Sequence, residues 1–257
     1  MRQGISRLGR MIINFTMESG RVLILLRSTI LQSFVLPLEV KNTFKQMYIV
    51  GVNSTPVVLI TGLFTGMVLA LQTFTGFERF GAESLVGSVV ALSMTREMGP
   101  VLTGMIVTGR AGSAMAAELG TMRVTEQIDA LEVLATNPVK YLVVPRFIAG
   151  LVMLPALTVI SDIIGIFGGY TVTTGVFGAS PSQYWRMCWD YTDVSDIYNG
   201  LIKACFFGGA MALLCCYRGY YTTGGAEGVG KSTTGAVVLT FMAILISDYF
   251  LSAWLFR

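Results

Sequence analysis

Residues 109–138 read GRAGSAMAAELGTMRVTEQIDALEVLATNP. This is the longest charged stretch between long apolar runs, in a chain where only 13% of residues are charged. It holds Arg110, Glu118, Arg123, Glu126, Asp129 and Glu132. In its second half Val124, Ile128, Leu131 and Ala135 fall at helical spacing on one stripe, with Glu126, Asp129 and Glu132 off it. Asn137-Pro138 ends the pattern. The spacing predicts a short amphipathic helix over about 123–136. Crossing a bilayer takes roughly 20 apolar residues, so this helix is expected outside the membrane, between two spans.

The flanking sequence fixes the class. Of 257 residues 53% are hydrophobic, and mean hydropathy is +0.67. Soluble domains carry about 25% charged residues, twice the share found here. An all-α integral membrane protein with one membrane domain is expected. Five spans are predicted, at about 48–76, 84–108, 147–176, 197–217 and 235–256. The first is free of charge from Tyr48 to Gly76 and contains Pro56, Gly62 and Gly66, signs of bending or close helix contact. Residues 179–196 and 218–234 read as loops.

Residues 1–46 carry Arg2, Arg7, Arg10, Arg21, Arg27, Lys41 and Lys45 against Glu18 and Glu39, a net +5; the other 211 residues sum to −2. Ile5, Leu8, Ile12, Phe15, Ser19, Val22 and Leu26 form a mostly apolar stripe. A basic amphipathic helix in the cytoplasmic headgroup region is expected, rather than a first span. No small-residue cleavage site follows, so a cleavable leader is not expected. Arg and Lys counts for 1–46, 109–146 and 218–234 are seven, four and two. The segments that alternate with them hold one each. The basic side is the cytoplasmic side, which gives an inner-membrane protein with the N-terminus inside and the C-terminus outside.

Arg96, Glu97, Asp162, Lys203 and Asp248 lie within predicted spans, where each isolated charge costs a few kcal/mol. Lys203 and Asp248 fall at similar depth and are able to pair. Two readings stand: a polar patch lining an outward cavity for a charged headgroup, or ion pairs that hold the helices together. GAEGVGKS at 225–232 matches the P-loop pattern letter for letter. A P-loop needs a preceding β-strand and a following helix in an α/β core, and no strand pattern lies nearby. The segment is therefore expected not to bind nucleotide. With no histidine, His-based catalysis is excluded. Cys188, Cys205, Cys215 and Cys216 lack metal-binding spacing. No cofactor, metal or nucleic-acid partner is expected.

The run SMTREMGPVLTGMIVTGRAGSAMAAELGTMRVTEQIDALEVLATNP at 93–138 resembles the signature of the MlaE/YrbE permeases, the membrane subunits of MCE-associated (Mla-like) ABC lipid transporters. TGLFTGMVLALQ at 61–72, PRFIAG at 145–150 and GGAEGVGKSTTGAVV at 224–238 also fit. The resemblance covers about residues 45–257. It implies a homodimer, each protomer with an interfacial helix and five spans, an ABC ATPase subunit below and a periplasmic MCE-domain protein above. A STAS-type regulator is an optional further partner. Phospholipid would occupy an outward-facing cavity between protomers, along the charges Arg96, Glu97, Lys203 and Asp248, with Phe77 and Phe80 in the wall. The cytoplasmic helix would dock on the ATPase through Glu118, Arg123, Glu126, Asp129 and Glu132. The chain itself would not be an enzyme. A stand-alone ion-coupled carrier using Asp162, Asp248 and Glu97 is the alternative, although no internal repeat supports it. A non-transporting scaffold subunit is a third reading.

Overall fold

The computed structural model of the chain describes residues 2–35 and 39–256; the side chains of Ile5, Leu8, Ile12 and Phe15 lie outside the described residues. Its elements are helical: α1 (Arg2–Ser33), α2 (Val40–Val50), α3 (Thr55–Glu78), α4 (Val86–Ser93), α5 (Gly99–Val107), α6 (Ser113–Val124), α7 (Gln127–Val133), α8 (Val144–Gly175), α9 (Pro181–Tyr191), α10 (Val194–Tyr220) and α11 (Gly225–Leu255). A 3₁₀ turn at Val52–Ser54 joins α2 to α3. Two π-turns, Met94–Met98 and Thr108–Gly112, fuse α4, α5 and α6 into one long rod.

Among the described residues, four helices are long and apolar enough to cross a membrane: Val40–Glu78, Val139–Gly175, Val194–Tyr220 and Gly225–Leu255. The first begins eight residues before Tyr48, because Val40, Phe44 and Met47 continue the apolar pattern past Lys41 and Lys45. The α4–α6 rod is interrupted by charge. It also runs to Val124 rather than ending at 108, so Arg110 and Glu118 belong to it and not to a loop.

α8 is the centre of the bundle, and small residues let its neighbours come close. At the α3 crossing a Cβ on Gly66 would collide with the Gly165 backbone, and one on Gly62 would sit 2.9 Å from Ser161 Oγ. At the α10 crossing Gly150 and Gly208 face each other's carbonyls. A dry core of Val107, Met115, Leu154, Leu157, Phe207, Met211 and Ile244 fills the space between α5, α6, α8, α10 and α11.

The helices do not end level. Asn199 Nδ2 donates to the Leu255 carbonyl at 3.1 Å, so the start of α10 and the end of α11 share one height. Thr95 lies at that height, its carbonyl against Gly200. Beyond it α4 continues for about 15 Å and α8 for about 20 Å, at 1.5 Å per residue. The fourth place in this projecting end is taken by α9, within the stretch expected as a loop. Cys188 Sγ donates to the Gly87 carbonyl at 3.2 Å, and the Tyr184 hydroxyl to the Ile166 carbonyl at 3.0 Å. Exposed Trp189, Tyr191, Tyr198, Tyr249 and Trp254 ring the molecule where α10 starts and α11 ends, the pattern of an aromatic belt at a membrane interface.

Candidate functional site

Below that belt lies a compact charge cluster. Lys203, on α10, is fully buried. Its ammonium donates to the Arg96 carbonyl (2.8 Å), Glu97 Oε2 (2.8 Å) and Ser252 Oγ (2.9 Å). Those three bonds use its three protons. Asp248 Oδ1 lies at 2.7 Å as an ion contact without a hydrogen bond of its own. Ser252 donates onward to Glu97 Oε1 at 3.0 Å. Arg96 does not join Lys203's acids. It reaches Asp196 at 2.8 Å, and Asp196 also forms the capping box at the start of α10. The Phe256 ring lies 5.1 Å from the Arg96 guanidinium and 5.6 Å from the Lys203 ammonium, within cation–π range.

The π-turn at Met94–Met98 is what makes this geometry possible. Arg96 and Glu97 are adjacent in sequence, and the widened turn exposes part of each while its backbone meets Lys203. One buried base thus holds two acids, whose outer edges stay accessible. Beside them an apolar groove of about 380 Å³ runs between Phe64, Thr65, Val68, Leu69, Gln72 and Met98. An open apolar groove of this kind suits an acyl chain.

Phe77 and Phe80 are not among the residues that line this groove. Phe77 packs inward against the cluster of Ala70, Val86, Val90, Met94 and Val172. Phe80, in the turn after α3, is 84% exposed. The aromatic pair at this end is Phe74 stacked on Phe177, centroids 4.0 Å apart. Asp196, Ser252 and Phe256 were missed by sequence reasoning. Asp196 sat among three loop aspartates, and only its position three residues after Asp193, a capping-box spacing, singled it out.

At the opposite end α7 is shorter than 123–136. Glu126 and Ala135 take positive φ (59° and 54°), which breaks the helix on both sides. Ile128 is fully buried among Leu25, Leu119, Leu142, Val143, Leu213 and Tyr217, and it pins α7 to the bundle. Arg123 pairs with Asp129 at 2.5 Å on the surface. The Tyr220 hydroxyl reaches Glu132 at 3.4 Å. Val133 and Leu134 stand out, 87% and 73% exposed. Glu118 faces the other way: it holds the buried Arg146 of α8 at 2.7 Å, while Arg146 donates to the Leu142 carbonyl at 2.6 Å. Glu118 therefore bolts α6 to α8 while its side chain stays 56% exposed. α1 closes the same end, with Glu18 3.4 Å from Arg218 and Arg21 over the Tyr221 ring.

The family model described as Permease MlaE matches residues 43–254. The chain belongs to the MlaE permease family. It is 37% identical over 257 residues, covering 98% of this chain and 97% of the relative, to the intermembrane phospholipid transport system permease protein MlaE of Haemophilus influenzae. It is 47% identical over 221 residues (86% and 85%) to a probable ABC transporter permease protein of Rickettsia typhi. To a probable ABC transporter permease protein of Synechocystis it is 46% identical over 217 residues (84% and 82%).

In this MlaE-family chain the P-loop-like segment has the wrong shape for phosphate. Residues 225–232 are the first turns of α11, not a loop. The Gly228 N–H is spent on the Gly224 carbonyl at 3.2 Å, so it is not free to cradle an anion. Lys231 is exposed and pairs with Glu227 one turn away at 2.6 Å. Lys231→Ala is expected to leave nucleotide binding by the isolated permease at background, as in the wild type, and to leave ATP turnover of the assembled transporter within about twofold. A labelled-ATP filter assay and a phosphate-release assay check the two statements.

Proposed function

We propose that the chain is the membrane permease subunit of an ATP-driven phospholipid transporter, with ATP hydrolysed by a separate ABC ATPase subunit. The observation that carries this is the near full-length similarity to a phospholipid-transport permease; the partly exposed charge cluster and the apolar groove next to Met98 are consistent with it. In this reading the phospholipid tails use the groove along Phe64, Val68 and Leu69. The headgroup meets Arg96, Glu97 and the Lys203–Asp248 pair.

The protein works as a homodimer in the bacterial inner membrane. The exposed apolar faces of α3 (Val57, Ile60, Phe64) and α11 (Met242, Leu245, Ile246) are suited to a second protomer or to lipid. Five spans result if the α4–α6 rod crosses as well, and α1 then lies in the cytoplasmic headgroup region. The basic end with α1 and α7 is cytoplasmic, and the aromatic belt and projecting end face the periplasm, where an MCE-domain protein would sit. α7, with Glu126, Asp129, Glu132, Val133 and Leu134, is the surface for the ATPase. Rigid-body rocking of the protomers, biased by ATPase closure, moves lipid past the cluster. The ion-coupled carrier reading gains no support from the geometry: Asp248 and Glu97 are shared by one lysine, and Asp162 stands apart from them.

Purification in a mild detergent with washing, followed by lipid extraction, tests substrate class. Phospholipid retained near one per dimer, and reduced in Val68→Trp, is expected. Equal retention in wild type and Val68→Trp would contradict the assignment of the groove.

A further inference from the structure

A second cavity, of about 380 Å³, opens on another face of the molecule, among Ala91, Thr95, Ile163, Ile166, Trp185 and Thr192. It is bounded by α8, the α4–α6 rod, α9 and the start of α10, and it opens at the level of the aromatic belt. Its lining is mostly apolar, with one carboxylate. Asp162, only 9% exposed, lines the cavity. Its Oδ1 is enclosed without a hydrogen-bond partner against Gly99, where a Cβ would collide with it, so the oxygen left to meet the cavity is Oδ2. The hydroxyl of Thr192, across the cavity, is also buried without a partner.

The bases that would ordinarily answer a buried acid are engaged elsewhere, Arg96 by Asp196 and Lys203 by Glu97 and Asp248. An unanswered polar group in an apolar wall costs on the order of 1–3 kcal/mol, and a ligand that supplies a donor recovers it. The volume is at the small end of ligand pockets, roughly 300–1,000 Å³, which suits one hydrocarbon chain rather than two. The rim residue Ile163 is 65% exposed, so the mouth has an apolar edge.

We propose that this cavity is a separate binding site for a single-chain amphiphile with a hydroxyl head, of the monoacylglycerol kind. The head hydroxyl donates to Asp162, and the chain lies along Ile166, Ile163 and Trp185. This site does not depend on the transport reading, since it shares no residue with the groove or with the Lys203 cluster.

The chain has three tryptophans, and two of them, Trp185 and Trp189, line this cavity. In a Trp254→Phe background the remaining fluorescence therefore reports on the site. Detergent-purified protein is titrated with a monoacylglycerol whose chain carries two bromines, a short-range quencher. Saturable quenching is expected, reversed by excess unbrominated monoacylglycerol. Asp162→Leu is expected to weaken it about five- to tenfold, the worth of one hydrogen bond. Ile163→Phe, which fills the mouth and keeps Asp162, is expected to abolish the saturable phase; it decides alone if the buried Asp162→Leu change does not fold. Quenching that rises linearly and is unchanged in Ile163→Phe would overturn the proposal. So would equal saturable quenching by a brominated two-chain phosphatidylcholine, which would make the cavity an ordinary bilayer-lipid contact.

Discussion

Lys203→Met is expected to lower the stability of the membrane domain by about 3–5 kcal/mol, the range seen when one partner of a buried ion pair is removed. The cost comes from the groups that remain. Glu97 and Asp248 would face each other around Ser252 with no cation between them, and the Arg96 carbonyl would lose its donor. Like charges in a site of low dielectric repel strongly. At roughly 2–4 °C per kcal/mol for a chain of this size, the melting midpoint in detergent should fall by about 10 °C. Asp248→Asn should be far milder, because Lys203 keeps Glu97, Ser252 and the carbonyl. Restoring much of the lost stability in Lys203→Met by adding Glu97→Gln and Asp248→Asn would show that the stranded acids cause the damage. If Lys203→Met melts within 2 °C of wild type, the cluster does not hold α10 and α11 to the rod.

The second large effect is expected at the other end, with stability untouched. Glu126→Lys combined with Asp129→Lys should reduce co-purification of the ABC ATPase by at least about two orders of magnitude, since like-charge juxtaposition across an interface costs several kcal/mol. Both side chains are exposed, and the Arg123–Asp129 pair is a surface pair worth no more than about 1 kcal/mol. Ile128, which fixes α7 to the bundle, is unchanged. The melting midpoint should therefore stay within about 3 °C of wild type. Full ATPase retention in the double variant would remove α7 from the interface.

What the sequence made legible follows from which interactions are local. Hydropathy pointed to five spans, and four of them correspond to helices of membrane length and hydropathy among the described residues, because lipid imposes that pattern on every turn. The signature at 93–138 carried the family, and the basic bias marked one end of the bundle. The pairing of Lys203 with Asp248 followed from depth alone, since both residues sit in uninterrupted helices. The failures have one cause, that helix breaks and tertiary partners are not local. α9 was hidden because its eleven residues are too polar for a span and pack through Tyr184 and Cys188 onto a distant helix. Arg96 and Glu97 were readable as charges. Their opposite partners, Asp196 and Lys203, are set by a π-turn that leaves no periodic trace. Glu118 is at the surface, 56% exposed, but its tie to the buried Arg146 was not legible because that partner lies 28 residues away on α8. The amphipathic stripe from Val124 to Ala135 was real only at Ile128 and Leu131, since two residues of positive φ end the helix inside the stripe.

The central claim is that this chain carries phospholipid and that the energy comes from another subunit. Proteoliposomes holding the permease with its ABC ATPase, loaded with a fluorescent phospholipid and mixed with acceptor protein or vesicles, test it most directly. Lipid transfer is expected to require ATP, to be lost when the ATPase is omitted or uncoupled by Glu126→Lys with Asp129→Lys, and to persist in Lys231→Ala. ATP-independent transfer at the full rate by the permease alone, driven by an ion gradient, would contradict it.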